Sequence, residues 1–142
     1  MESPTNPHDA ELFVLGEGLE NVPAVESLSP AGLAYIGDAV YELYVRLYYL
    51  LPPKQIAEYH QQVVSKVRAE KQAQQLEALL PHLTEEEQKM VKRGRNATTK
   101  PPKRLSAKIY QQATSLETLV GYLFLRDRAR LKSLLLLLKQ YE

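Results

Sequence analysis

The chain of 142 residues has no cysteine and only three histidines. Without cysteine there is no disulfide framework, no thiolate nucleophile and no cysteine zinc site. His8, His60 and His82 are scattered, and none is placed as a metal-binding pair. The N-terminus lacks a basic stretch followed by an apolar one, so no secretory signal is expected and a cytoplasmic location is. No segment holds a period-two pattern and no repeat is present, which argues against sheet and solenoid architectures. Charge of one sign is also missing locally. Residues 1–45 contain no Lys or Arg. From Gln88 to Leu116 there is no Asp or Glu, whereas Lys89, Lys92, Arg93, Arg95, Lys100, Lys103, Arg104 and Lys108 all fall there. The net charge of +1 hides this separation, which predicts one basic face and one acidic locus.

What is present is one domain's worth of helix. Hydrophobic content of 44% and charged content of 25% are those of a soluble globular domain. Residues 1–28 are Pro-, Glu- and Asn-rich and are expected to form a flexible tail, with 29–142 as the folded domain. Ser29-Pro30 predicts a helix start, with Ser capping and Pro at the first helical position. The run Leu33–Leu51 that follows is nearly long enough to span a bilayer. Its three charges, Asp38, Glu42 and Arg46, and the closing Pro52-Pro53 favour a buried core helix instead. Being apolar on nearly every side, that helix is central in the fold or packs on a second chain.

Lys54 to Leu80 reads as helix with a kink near Ser65. Thr84 and Glu87 predict a capping box for a helix stopping near Gly94. Arg93 to Arg104, with Gly94, Asn96 and Pro101-Pro102, is expected to be a mobile basic loop. A further helix starts between Ser106 and Ser115 and runs to about Arg126. Asp127 then caps a last helix, Arg128–Tyr141. The expected fold is all-α.

Three charges spaced by four draw one polar line along the first helix. A carboxylate in an apolar run needs a proton, a partner or a metal. Glu42 has an ordinary partner in Arg46 at i,i+4. On that reading Asp38 is merely solvated. Glu117 is the second carboxylate of interest. Thr114 with Glu117 three residues on fits a capping box, whereas a functional reading needs Glu117 to face Asp38. Gly121, one turn past Glu117 on the same side, would admit another backbone there.

Tyr35-Ile36-Gly37-Asp38-Ala39-Val40 resembles the signature helix of the ribonuclease III family. Ala113 to Leu125 resembles that family's second catalytic segment, and Lys92-Arg93-Gly94-Arg95-Asn96-Ala97 resembles the basic segment of its Mini-ribonuclease III branch. The resemblance spans roughly Leu28 to Arg130 and implies the ribonuclease III endonuclease-domain helical bundle. It further implies a homodimeric, Mg²⁺-dependent endonuclease on double-stranded or structured RNA, notably the 23S ribosomal RNA precursor, leaving 5′-phosphate and 3′-hydroxyl ends. Asp38 and Glu117 match two of the family's four site carboxylates and would be the catalytic metal ligands. Ala34 and Thr114 stand where the other two would be, and Mini-ribonuclease III proteins share that reduction. Glu42 and Thr114 are candidates for supporting positions beside the ligands.

Lys92, Arg93, Arg95, Asn96, Lys100, Lys103 and Arg104 would contact RNA, as would Gln-rich positions on Lys54–Gln75. Full-length family members carry a double-stranded-RNA-binding domain for which this chain has no room, so a ribosomal protein on the pre-ribosome is an expected helper. The missing carboxylates leave open a catalytically silent RNA-binding scaffold, and a helical interaction module without RNA is a third reading.

Overall fold

A computed structural model describes residues 25–98 and 100–139. The expected tail lies outside the described residues up to position 24. Its last part is not tail-like: Val25–Ser27 forms a 3-10 turn, and Val25 is 2% exposed within the core. The packed chain thus includes residues before the Ser29 boundary. Six helices follow: α1 (Pro30–Tyr48), α2 (Ile56–Val67), α3 (Ala69–Leu79), α4 (Glu85–Asn96), α5 (Ala107–Arg126) and α6 (Arg128–Leu138). Among the described residues there is no strand, and no helix is long and apolar enough to cross a membrane.

The helix starts are set by local chemistry. Ser29 Oγ accepts from the Gly32 amide at 3.0 Å, with Pro30 at the first turn. Thr84 and Glu87 form the reciprocal box, Thr84 N–H donating to Glu87 Oε1 at 2.9 Å and Glu87 N–H to Thr84 Oγ1 at 3.2 Å. Ser106 caps α5 and Asp127 caps α6 through the Arg130 amide. Each cap satisfies a donor that the helix itself leaves free.

α5 is the hub. It packs most extensively on α1, then on α4 and α3. Leu116, Leu119, Val120 and Leu123 point into the core, where Leu33, Tyr41 and Leu134 meet them. Between α2 and α3 the chain breaks at Arg68, whose extended backbone (ψ 154°) replaces the kink expected near Ser65. α4 runs past Gly94 to Asn96, so Arg93, Arg95 and Asn96 are helical rather than loop. Gly94 is needed for packing, not for a turn. A Cβ there would lie 2.5 Å from Thr118 Oγ1 and 3.2 Å from Ser115 Cα, so α4 sits directly on α5. Glu87, with a side chain 5% exposed, is held by Arg130 through bonds of 2.8 and 3.0 Å. Arg130 also donates to the His82 carbonyl at 2.7 Å, which ties α6 to the start of α4.

Candidate active site

α1 and α5 cross at two glycines. A Cβ on Gly37 would lie 1.7 Å from the Glu117 carbonyl oxygen, and one on Gly121 would lie 1.9 Å from the Leu33 carbonyl oxygen. No side chain fits at either position, so backbone meets backbone. The neighbour of Gly37 on α1 is Asp38, and Glu117 is one turn before Gly121 on α5. The crossing therefore brings together two carboxyl groups seventy-nine positions apart in sequence. Asp38 is exposed and Glu117 half-buried.

The electrostatics follow from this placement. Burial pushes the Glu117 carboxyl up to about 8, and the negative charge of Asp38 and a hydrogen bond to it act in the same direction. The side-chain amide of Gln72 opposes them by hydrogen bonding to Glu117. The neighbouring negative charge thus disfavours ionisation of Glu117 unless a cation intervenes. Asp38 and Glu117 are hard oxygen donors open to solvent on one side, which suits Mg²⁺ held by one or two carboxylates plus a substrate phosphate. Among the described residues no group of three or more His, Cys, Asp or Glu could hold a metal, so any ion here rests on these two.

The other expected site residues separate by environment. Glu42 pairs with Arg46 at 2.7 Å, the ordinary reading of that spacing. Thr114 is no N-cap, because α5 begins at Ala107, seven residues earlier; its carbonyl accepts the Thr118 hydroxyl at 2.8 Å inside the helix. The capping-box reading of Thr114 and Glu117 is thereby overturned. Arg93 is turned inward and donates to the carbonyls of Glu26 and Leu28, holding the 3-10 turn against α4. Lys92, Arg95, Asn96, Lys100, Lys103 and Arg104 are exposed. Because Gly94 packs on Ser115 and Thr118, the last turn of α4 lies beside the segment carrying Glu117. Gln72 and Gln75 do not face solvent or RNA; they are 3% and 7% exposed. The sequence did carry a signal for this, since Gln72 and Gln75 keep helical spacing with Leu76 and Leu79 on the buried stripe of α3.

The family description "Ribonuclease III domain" matches residues 31–128, a span that includes both carboxylates. The chain belongs to the ribonuclease III family. A Synechocystis sp. Mini-ribonuclease 3 is 56% identical over 119 residues, covering 84% of this chain and 83% of the relative. A Synechococcus sp. Mini-ribonuclease 3 is 55% identical, covering 79% and 81%. An X-ray crystal structure of a Fusobacterium nucleatum protein superposes with a TM-score of 0.73 at 29% identity, covering 79% of this chain and 93% of that one. Within the ribonuclease III family these relatives place the chain in the Mini-ribonuclease 3 branch, as an endoribonuclease. The silent-scaffold and interaction-module readings fall with that membership.

Proposed function

We propose that the protein is a Mg²⁺-dependent, cytoplasmic endoribonuclease that cuts double-stranded or structured RNA, with precursor 23S ribosomal RNA as substrate. The observation that carries this reading is the convergence of Asp38 and Glu117 across the Gly37–Gly121 crossing. Asp38, the exposed member, and Glu117 in its ionised form would hold the ion. When bound, a divalent cation supplies positive charge against the scissile phosphate and the leaving 3′-oxygen and activates water for attack. Products with 5′-phosphate and 3′-hydroxyl ends follow from attack by water.

The protein's own contribution is to hold two anionic oxygens together in a half-buried place where charge is weakly screened. Lys92, Arg95, Lys100, Lys103 and Arg104 meet phosphates of the duplex, and Asn96 meets its sugars, as recognition by shape requires. Arg93 belongs to the fold more than to the RNA, given its two backbone partners.

A homodimer completes the reading, because a two-fold pair of sites addresses both strands of a duplex. Its support is the face of α1 opposite α5. Tyr35, Leu43 and Leu47 there are 81%, 58% and 61% exposed, beside an apolar groove of about 380 Å³ between α1 and α6. Exposed apolar surface of this extent on a helix marks an interface. A ribosomal protein that presents the RNA remains part of the proposal.

The deciding experiment incubates long duplex RNA and Mg²⁺ with the parent, Asp38→Asn and Glu117→Gln. The parent is expected to cut, and both variants to bind in a gel-shift assay without cutting. Cutting by Asp38→Asn at the parental rate would overturn the assignment of the pair.

A further inference from the structure

Of the eight cations between Gln88 and Leu116, seven are exposed and Arg93 is half-buried. Its guanidinium donates to two main-chain carbonyls, Nη1 to Glu26 and Nη2 to Leu28, the latter at 3.0 Å. A rigid planar fork suits two fixed acceptors in a way that a lysine ammonium does not. The carbonyls belong to the 3-10 turn Val25–Ser27 and to the residue after it. That turn is anchored elsewhere too. Val25 is 2% exposed in the core, and the Glu26 carboxylate pairs with Arg126 at the end of α5 at 3.1 Å. Leu28 leads directly into Ser29, the cap of α1. Arg93 therefore clamps the last turn of α4 to the entry of α1. The two helices need such a link, because they pack far less on each other than either does on α5. The next residue on α4, Gly94, sits on Ser115 and Thr118, either side of Glu117 in the sequence of α5. The first turns of α1 meet α5 where Leu33 C=O lies against Gly121. α1, α4 and α5 thus close a triangle around the catalytic pair, and Arg93 is the side that joins α4 to α1. Lys92 and Arg95 lie in the turn so fixed, and both are exposed.

We propose that Arg93 is a positioning residue for the RNA: by clamping the Glu26 and Leu28 carbonyls it sets the register between the basic last turn of α4 and the Asp38–Glu117 pair, and it makes no phosphate contact of its own. Cations held out of register would still bind the duplex, but they would present the wrong phosphate to the pair. The inference rests on the reading of Asp38 and Glu117 as catalytic and of Lys92 and Arg95 as phosphate contacts.

Arg93→Met removes the clamp and keeps a good helix former at the position. On duplex RNA with Mg²⁺ it is expected to lower kcat between about tenfold and a hundredfold, the effect of a small misplacement of reacting groups. Kd for the same RNA, read by gel shift in EDTA, should stay within about twofold, and the slope of log K against log salt should not change, because no phosphate contact is lost. A slope lower by about one would make Arg93 a phosphate contact and overturn the proposal. A residue that merely holds the fold would lower Tm and leave kcat within twofold of the parent well below melting, which overturns it as well. Arg93→Lys keeps the charge without the fork and is expected to fall with Arg93→Met; recovery to within twofold of the parent overturns the clamp. The second arm comes from the other end of the contact. Val25→Ala loosens the same turn through its buried anchor and should also lower kcat, and adding Arg93→Met to it should cost little more, because the two act through one link. Losses that simply multiply overturn the proposal. An Asp38→Asn control separates the two levels. If it is inactive while Arg93→Met is normal, only the positioning role fails; if it cuts normally, the pair itself is misassigned and this inference goes with it.

Discussion

Replacing Glu117 with Gln should stabilise the metal-free protein at neutral pH, although it abolishes cutting. The folded chain holds this carboxyl at about 8, against 4.5 for the ordinary group, with burial as the first cause and Asp38 as the second. A carboxyl raised in the fold opposes folding over one defined window. Below pH 4.5 both states carry the proton and nothing is lost. Between pH 4.5 and 8 the unfolded chain releases it and the fold retains it, so stability falls by about 1.4 kcal/mol per pH unit. At pH 7 that amounts to about 3 kcal/mol, a large part of a small domain's stability. Above pH 8 the penalty is constant. Gln carries no such term.

Urea unfolding in EDTA at pH 5 and pH 7.5 is therefore expected to give a gap between Glu117→Gln and parent that widens by about 3 kcal/mol at the higher pH, with unchanged m-values. Mg²⁺ added to the parent at pH 7.5 should close much of that gap, because a ligand of the native state stabilises it by mass action. Asp38→Asn should narrow the pH dependence without removing it, since burial outranks Asp38 as a cause. Equal gaps at both pH values would refute the argument, because they would mean that Glu117 is not held in a proton-retaining place.

Four further outcomes are expected. Gly37→Ala and Gly121→Ala force a methyl within 2 Å of a backbone carbonyl and should prevent soluble expression, whereas Gly32→Ala, whose nearest atom is Ser29 Oγ at 3.1 Å, should leave Tm within a few degrees of the parent. Arg130→Met should cost about 3 kcal/mol in urea unfolding, because it leaves the buried Glu87 carboxylate unpaired; Glu87→Gln in the same chain should recover part of it. Burial pushes the Glu87 carboxyl up, but hydrogen bonds from Arg130 and Thr84 outweigh it and leave it below 4.5. Its contribution is thus whole above that value and lost as pH falls through the lower folded one, which acid titration of parent against Arg130→Met would read. Leu43→Asp with Leu47→Asp should sediment as monomer if the exposed face of α1 is the dimer contact, and Lys92→Ala with Arg95→Ala should flatten the salt dependence of RNA binding by roughly two phosphate contacts.

The helices were legible because they are announced by local chemistry. Ser29-Pro30, Thr84 with Glu87, and Asp127 act within a single turn, and each caps the helix its position suggests. The α4 end was misread because Gly94 and Asn96 have the same appearance in a turn as in a close helix contact. Only the distance to Thr118, which is a tertiary fact, tells them apart. Thr114 and Glu117 have the spacing of a capping box, but a box exists only where a helix begins, and Ser106 had already begun it. Arg93 sat in a run of cations, and no local pattern distinguishes the one that turns inward to Glu26 and Leu28. Gln72 and Gln75 keep the spacing of the buried leucines of α3, but the Gln-rich composition of that stretch makes it read as RNA-facing, and only the packing against α5 shows otherwise.

The site and the core are thus one construction with opposed demands. Core packing needs α1 and α5 in backbone contact, and the Gly37–Gly121 crossing supplies that. The same contact pushes Glu117 against Asp38 in a place where its charge is disfavoured. A looser crossing would relieve the repulsion, but it would also move the two carboxyls beyond the reach of a shared cation. α4 presses on the same stretch of α5 through Gly94, against Ser115 and Thr118. On the proposed reading a divalent ion would relieve that opposition, so ion affinity, read by titration calorimetry, should fall in any variant that lets α1 and α5 separate, even where both carboxylates remain.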